Sequence, residues 1–190
     1  MDSNTSAHEE EKSSPRPNFK LYINSHVLGL GTVATSLCLA YKYGKCIPVP
    51  ASLDMASKLG YTAKWMLLPS ASVFMAVMNV AIGRGKEKVW PLTGREHLIE
   101  LQKNICANTV EQSCVFSLGL LALGASVQTP EQMRFIPTAA MLFFIGRILF
   151  MVGYSNKPEY RGFGMSINFA LDYFTLGAGA YLMCKYGLSN

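Results

Sequence analysis

The stretch 135-FIPTAAMLFFIGRILFMVGY-154 carries a single charged residue, Arg147, in twenty positions. A helix rises about 1.5 Å per residue, so roughly 20 mostly apolar residues cross the hydrocarbon core of a bilayer. A soluble core helix of this length would keep a polar stripe along one face. None is present here, so the stretch predicts a transmembrane helix. Arg147 is then the informative exception. A charge at mid-membrane costs about 2.5–3.5 kcal/mol on insertion scales, so such a side chain faces a bundle or a cavity, not lipid.

Four further stretches behave alike: about 21–41, 65–83, 105–127 and 163–186. The first is interrupted at its start by Asn24, Ser25 and His26. The second is bracketed by Lys64 and Arg84, with Trp65 as an interfacial anchor. Half of the 190 residues are hydrophobic and only 15% are charged, against about a quarter in soluble domains. Short links at 128–134 and 155–162 join the last three spans, which makes them antiparallel neighbours. The fold class expected is therefore all-α, a polytopic transmembrane helical bundle. Residues 1–20 are polar, acidic at Glu9, Glu10 and Glu11, and broken by Pro15 and Pro17. That composition predicts a disordered tail and does not read as a cleavable signal peptide. With the N-terminus in the cytosol, ten Lys and Arg fall on the cytosolic side and six on the other, as the positive-inside rule favours. Asn4-Thr5-Ser6 is a glycosylation sequon, so sugar on Asn4 would reverse that orientation. The five cysteines form no CxxC pair and read as small hydrophobes. The net charge of +5 suits an anionic leaflet better than nucleic acid, for which no binding module is present.

Polar residues inside the spans carry the functional signal: Asn108, Glu111, Arg147 and Asp172. Asn108 and Glu111 stand three apart and share a helix face. Arg147, Phe150 and Tyr154 share a face of the next helix, and Arg161 opens the last one. Together they outline an Arg-rich pocket at the cytosolic ends of three helices. Guanidinium groups recognise carboxylates through two parallel hydrogen bonds, so a small anionic ligand is the natural guest. The same residues permit a purely structural reading, in which Glu111 pairs with Arg147 and Asn108 joins two helices. Asp172 could pair with Arg147 or meet interfacial water. Ser113-x-x-x-Ser117 and the run 177–180 suit close helix packing.

Asn108-x-x-Glu111, together with Arg147-x-x-Phe150-x-x-x-Tyr154 and Arg161, resembles the signatures of the MAPEG family, membrane-associated proteins in eicosanoid and glutathione metabolism. The resemblance places a four-helix unit at about 65–186, within a membrane domain 65–190. A further span and its connecting loop (21–64) and the tail 1–20 precede that unit, which is similar to a mattrin-like branch of the family. It implies a homotrimer binding glutathione between neighbouring subunits near the cytosolic face. By the same resemblance Asn108 and Glu111 would hold the peptide backbone and amino group. Arg147 and Tyr154 would bind from the facing helix, and Arg84 would lie near the thiol. Arg161 would stabilise the thiolate, since a nearby cation lowers a thiol pKa. Two positions depart from the pattern. Asn104 stands where family enzymes carry an arginine, leaving Lys103 beside it with charge but no planar fork. Phe150 stands where many members have Tyr or His, and it cannot hydrogen-bond.

Two functional classes follow. In one, the chain has a glutathione-type site and acts in membrane trafficking, secretion or control of a signalling receptor with a membrane-protein partner, as the mattrin-like resemblance implies. In the other it is a membrane-bound glutathione transferase or peroxidase acting on lipophilic electrophiles. The endomembrane system is the implied location. A transporter or channel would need a water-lined path, to which only Glu111, Arg147 and Asp172 point.

Overall fold

A computed structural model describes residues 19–90 and 94–187. The expected N-terminal tail, with Asn4, lies outside the described residues as far as residue 18. Seven α-helices follow one another, and no strand occurs among the described residues: α1 (Phe19–Tyr43), α2 (Met55–Trp65), α3 (Leu67–Glu87), α4 (Glu100–Ser126), α5 (Pro130–Met133), α6 (Phe135–Asn156) and α7 (Gly162–Tyr186). Short 3₁₀ turns lead into α4 (Glu96–Ile99) and α7 (Pro158–Arg161). The expectation of an all-helical membrane bundle holds. Four helical segments among the described residues are long and apolar enough to cross a membrane.

Two prolines shape the bundle. The second span, expected at 65–83, starts ten residues earlier, because α2 and α3 form one interrupted rod over Met55–Glu87. Pro69 has no N–H to return to the Trp65 carbonyl, and the rod breaks at Met66 between them. Pro137 stands in the same relation to Met133, and there α5 gives way to α6 across Arg134. The expected fifth span is the 25-residue helix α7, but it falls outside the four apolar segments. Asn168 and Asp172 lower its apolarity. Both are buried, so their polarity is carried by the protein interior and not by lipid.

At the end of the bundle away from the α1 N-terminus, Lys58 of α2 is buried and ties two segments together. Its Nζ donates to the carbonyls of Ala125 (2.9 Å) and Val127 (3.1 Å). These include a carbonyl of the last turn of α4, which has no partner within its own helix, and the cation also meets the negative end of that helix.

Helix α7 occupies the centre, against α1, α4 and α6. Phe116 of α4 stacks on Phe143 of α6 at 4.1 Å, and Leu120, Leu123, Ile136, Ala140 and Leu171 complete the apolar core. Close approach depends on missing side chains. A Cβ on Gly164 would run into the α6 backbone at Gly146 and Phe150, and one on Gly146 would meet Asn168. The small-residue run 177–180 divides: a Cβ on Gly179 would lie 3.3 Å from the α4 backbone at Leu123, whereas one on Gly177 would meet nothing within 4 Å.

Candidate functional site

The C-terminal halves of α3 and α6 and the N-terminal halves of α1, α4 and α7 meet at one end of the bundle. The close α6–α7 contact at Gly146 and Gly164 sets Arg147 deep between helices. It is fully buried, the largest such side chain among the described residues. Its guanidinium lies 4.6 Å from the Phe150 ring and 5.7 Å from that of Phe143, a geometry in which the ring faces attract the cation. One nitrogen, Nη1, donates to the Asn108 side-chain oxygen at 3.1 Å and to its main-chain carbonyl at 3.4 Å. Nε and Nη2 are buried without a hydrogen-bond partner.

A second cation sits above the first. The chain turns tightly after α6: Lys157 N–H donates to Gly153 O at 3.0 Å and Tyr160 N–H to Lys157 O at 2.9 Å. Gly153 is required there, because a Cβ would strike the Tyr160 carbonyl at 2.5 Å. This turn brings exposed Arg161 back over the half-buried Tyr154, 4.8 Å from its ring, and Tyr154 in turn lies 5.6 Å from Phe150. The structure thus gathers Asn108, Arg147, Tyr154 and Arg161 into one run from the core to the surface.

The remaining candidates lie apart from that run. Glu111 is exposed on the outer face of α4, and the Glu111–Arg147 pair that the sequence permits is not formed; Asn108 takes the arginine. Lys103 is exposed and bonds Glu96 at 2.5 Å. Arg84 is half-buried, its Nε without a hydrogen-bond partner, and it lines a separate groove of about 680 Å³ with Val77, Val80, Lys88, Trp90 and Cys106. The groove is shaped by the end of α3. Lys88 adopts a left-handed φ of 51°, and Val89 N–H returns to Arg84 O at 3.0 Å. That turn buries Val89 and leaves Lys88 and Trp90 on the groove wall. All five cysteines are free thiols, four exposed and Cys106 half-buried.

Two polar residues of α7 belong to the same level. Asn168, fully buried, has neither amide atom paired, and Asp172 is buried with Oδ1 unpaired. Asp172 and Arg147 form no ion pair within 4 Å, and both keep buried polar atoms without a hydrogen-bond partner. Asn168 escaped the sequence reading. The signal available was its spacing of four from Asp172, which puts both on one face of the same helix. At the same end α1 is held by His26 Nδ1, 2.8 Å from Ser166 Oγ, which itself donates to the Gly162 carbonyl.

An apolar multi-helix bundle, with an arginine sealed inside it and a second stacked at its rim, defines an integral, multi-pass membrane protein. The chain belongs to the MAPEG family, whose profile it matches over residues 62–181. The match runs from α2 into α7 and leaves α1 outside. A comparison with curated proteins gave no match.

Proposed function

We propose that the protein binds glutathione, or a similar anionic thiol, at a site completed between the subunits of a homotrimer. In this reading it acts in membrane trafficking, secretion or restraint of a signalling receptor, as in the mattrin-like branch, from an endomembrane with its N-terminus in the cytosol. The observation that carries the ligand is the Asn108–Arg147 bond continuing through Tyr154 to Arg161. A half-buried amide, a phenol and an exposed guanidinium converge at one end of the bundle, chemistry suited to a small peptide carrying carboxylates. Glu111 supports completion by a neighbour. A carboxylate on the outer face of a membrane helix is costly against lipid; a second subunit would cover it, and the amino group of a ligand held between the subunits would pair with it. The groove holding Arg84 is separate within one subunit, so Arg84 would join the other residues only across such an interface.

Arg161 would hold the thiolate, which raises the reactive fraction at neutral pH. Two features favour a binding role over turnover. Phe150 is buried beneath Arg147 and supplies no hydroxyl, and Asn104 provides no guanidinium fork. The apolar groove beside Arg84 supports the second reading, a glutathione transferase or peroxidase, since it would admit a lipophilic electrophile from the bilayer. Calorimetric titration of the purified protein in nanodiscs tests the ligand. Absence of heat at millimolar glutathione, with folded protein present, would exclude it. Turnover of lipophilic electrophiles, measured on the same sample, separates the enzyme from the non-catalytic protein, and cross-linking in lipid reads the number of subunits.

A further inference from the structure

Arg147 is named above among the ligand residues, yet it has no accessible surface within the subunit. A ligand arriving at the outer face of α4 would meet Asn108 first. The Asn108 amide has one oxygen and one NH₂, and the hydrogen-bond network decides which way it points. Here Nη1 of Arg147 holds the oxygen inward at 3.1 Å, which turns Nδ2 away as a donor. On α7, Asn168 packs beside Gly146, the neighbour of Arg147, and Asp172 stands one turn further along, also buried. Asn168 is pressed so closely against α6 that a Cβ on Gly146 would lie 2.6 Å from its Oδ1. Asp172 Oδ1, both Asn168 amide atoms, and Arg147 Nε and Nη2 are all buried without protein partners. Buried polar groups of this kind are satisfied by each other or by ordered water.

We propose that Asp172, Arg147 and Asn108 form a relay across α7, α6 and α4 that aims the Asn108 NH₂ at a carbonyl or carboxylate of the ligand. Asp172 supplies the counter-charge that holds the guanidinium in place through a buried water, and the guanidinium orients the amide. Asp172 and Arg147 are positioning residues, and Asn108 makes the contact. The ligand half of this proposal rests on the glutathione-type reading, whereas the relay itself does not.

Two measurements test it on the full chain in nanodiscs. Unfolding without ligand is followed for wild type, Asp172→Asn, Asn108→Ala and the double variant. The relay predicts that the two effects do not add, and additivity would overturn it. Glutathione isotherms on the same four proteins should show Asp172→Asn weakening affinity about tenfold, the scale on which a contact behind a ligand-binding group is felt. In the Asn108→Ala background the same change should do nothing further, a silence that a general loss of stability would not produce. Unchanged affinity in Asp172→Asn, or an equal loss in both backgrounds, would overturn the aiming role. If Asp172→Asn does not assemble, Arg147→Lys replaces it, since it keeps the charge without the fork and carries the same expectation. Should wild type bind no glutathione, the ligand reading fails and the unfolding cycle alone decides the relay.

Discussion

Asn108 and Arg147, 39 positions apart on neighbouring helices, share a hydrogen bond of 3.1 Å that ties α4 to α6. Among the described residues it is the only hydrogen bond from the buried guanidinium to another side chain. Replacing Asn108 by Ala is expected to cost about 2 kcal/mol of stability, the scale of a hydrogen bond to a charged group, since the guanidinium keeps only the longer 3.4 Å contact to the main-chain carbonyl at 108. Reversible unfolding in mixed micelles measures the loss, and an Asn108→Ala protein as stable as wild type would show the bond to be incidental.

The α6–α7 contact should tolerate no methyl at Gly164. An alanine there meets the α6 backbone, and overpacking of this kind typically costs about 1–3 kcal/mol. Gly177→Ala is the matched control on the same helix. Its Cβ enters open space, and the better helix propensity of Ala favours the folded state by up to about 1 kcal/mol. Opposite shifts in unfolding midpoint are expected from these two substitutions.

Lys58→Met should release the end of α4. The substitution removes both donors to Ala125 O and Val127 O, and a loss of about 1–3 kcal/mol follows from stranding buried acceptors. Hydrogen exchange across the last turn of α4 would accelerate selectively. Equal protection in variant and wild type would contradict the assignment.

Asp54 sets a pH dependence at the start of α2, outside the span. The Ser52 side chain, with further bonds from the Ser57 side chain and N–H, holds its carboxyl well below the usual carboxylate range. A depressed folded-state pKa contributes stability above the unfolded value, near 4 for Asp, and that contribution is lost as pH falls towards the folded value. The α2 N-terminus should therefore keep its amide protection from neutral pH down to about pH 4 and fray only in stronger acid. Asp54→Ala should fray at every pH, since the N-cap is removed. Exchange at the Ser57 and Lys58 amides distinguishes the two.

The spans were legible because a bilayer imposes a local requirement. Each crossing segment must be long and apolar on its own, whatever it later packs against. The fourth span was read at 135–154 and is helical over Phe135–Asn156. The early start of the second was hidden by Lys58, Thr62 and Lys64, which look like a polar loop. Lys58 and Thr62 are instead buried, with Lys58 spent on the end of α4 and Thr62 packed against Gly124.

By itself the sequence determined that polar groups gather at one end of an apolar bundle, since their positions follow from helix length and order alone. Which of them meet was decided only by the tertiary structure. Asn108 and Glu111 project about 60° apart on one helix, so either could face Arg147 as far as spacing is concerned. The glycines at 146 and 164 bring α6 against α7 and draw the arginine inward, where Asn108 reaches it and Glu111 does not. Packing between helices, unlike passage through a bilayer, is a relation among distant residues that no single segment encodes.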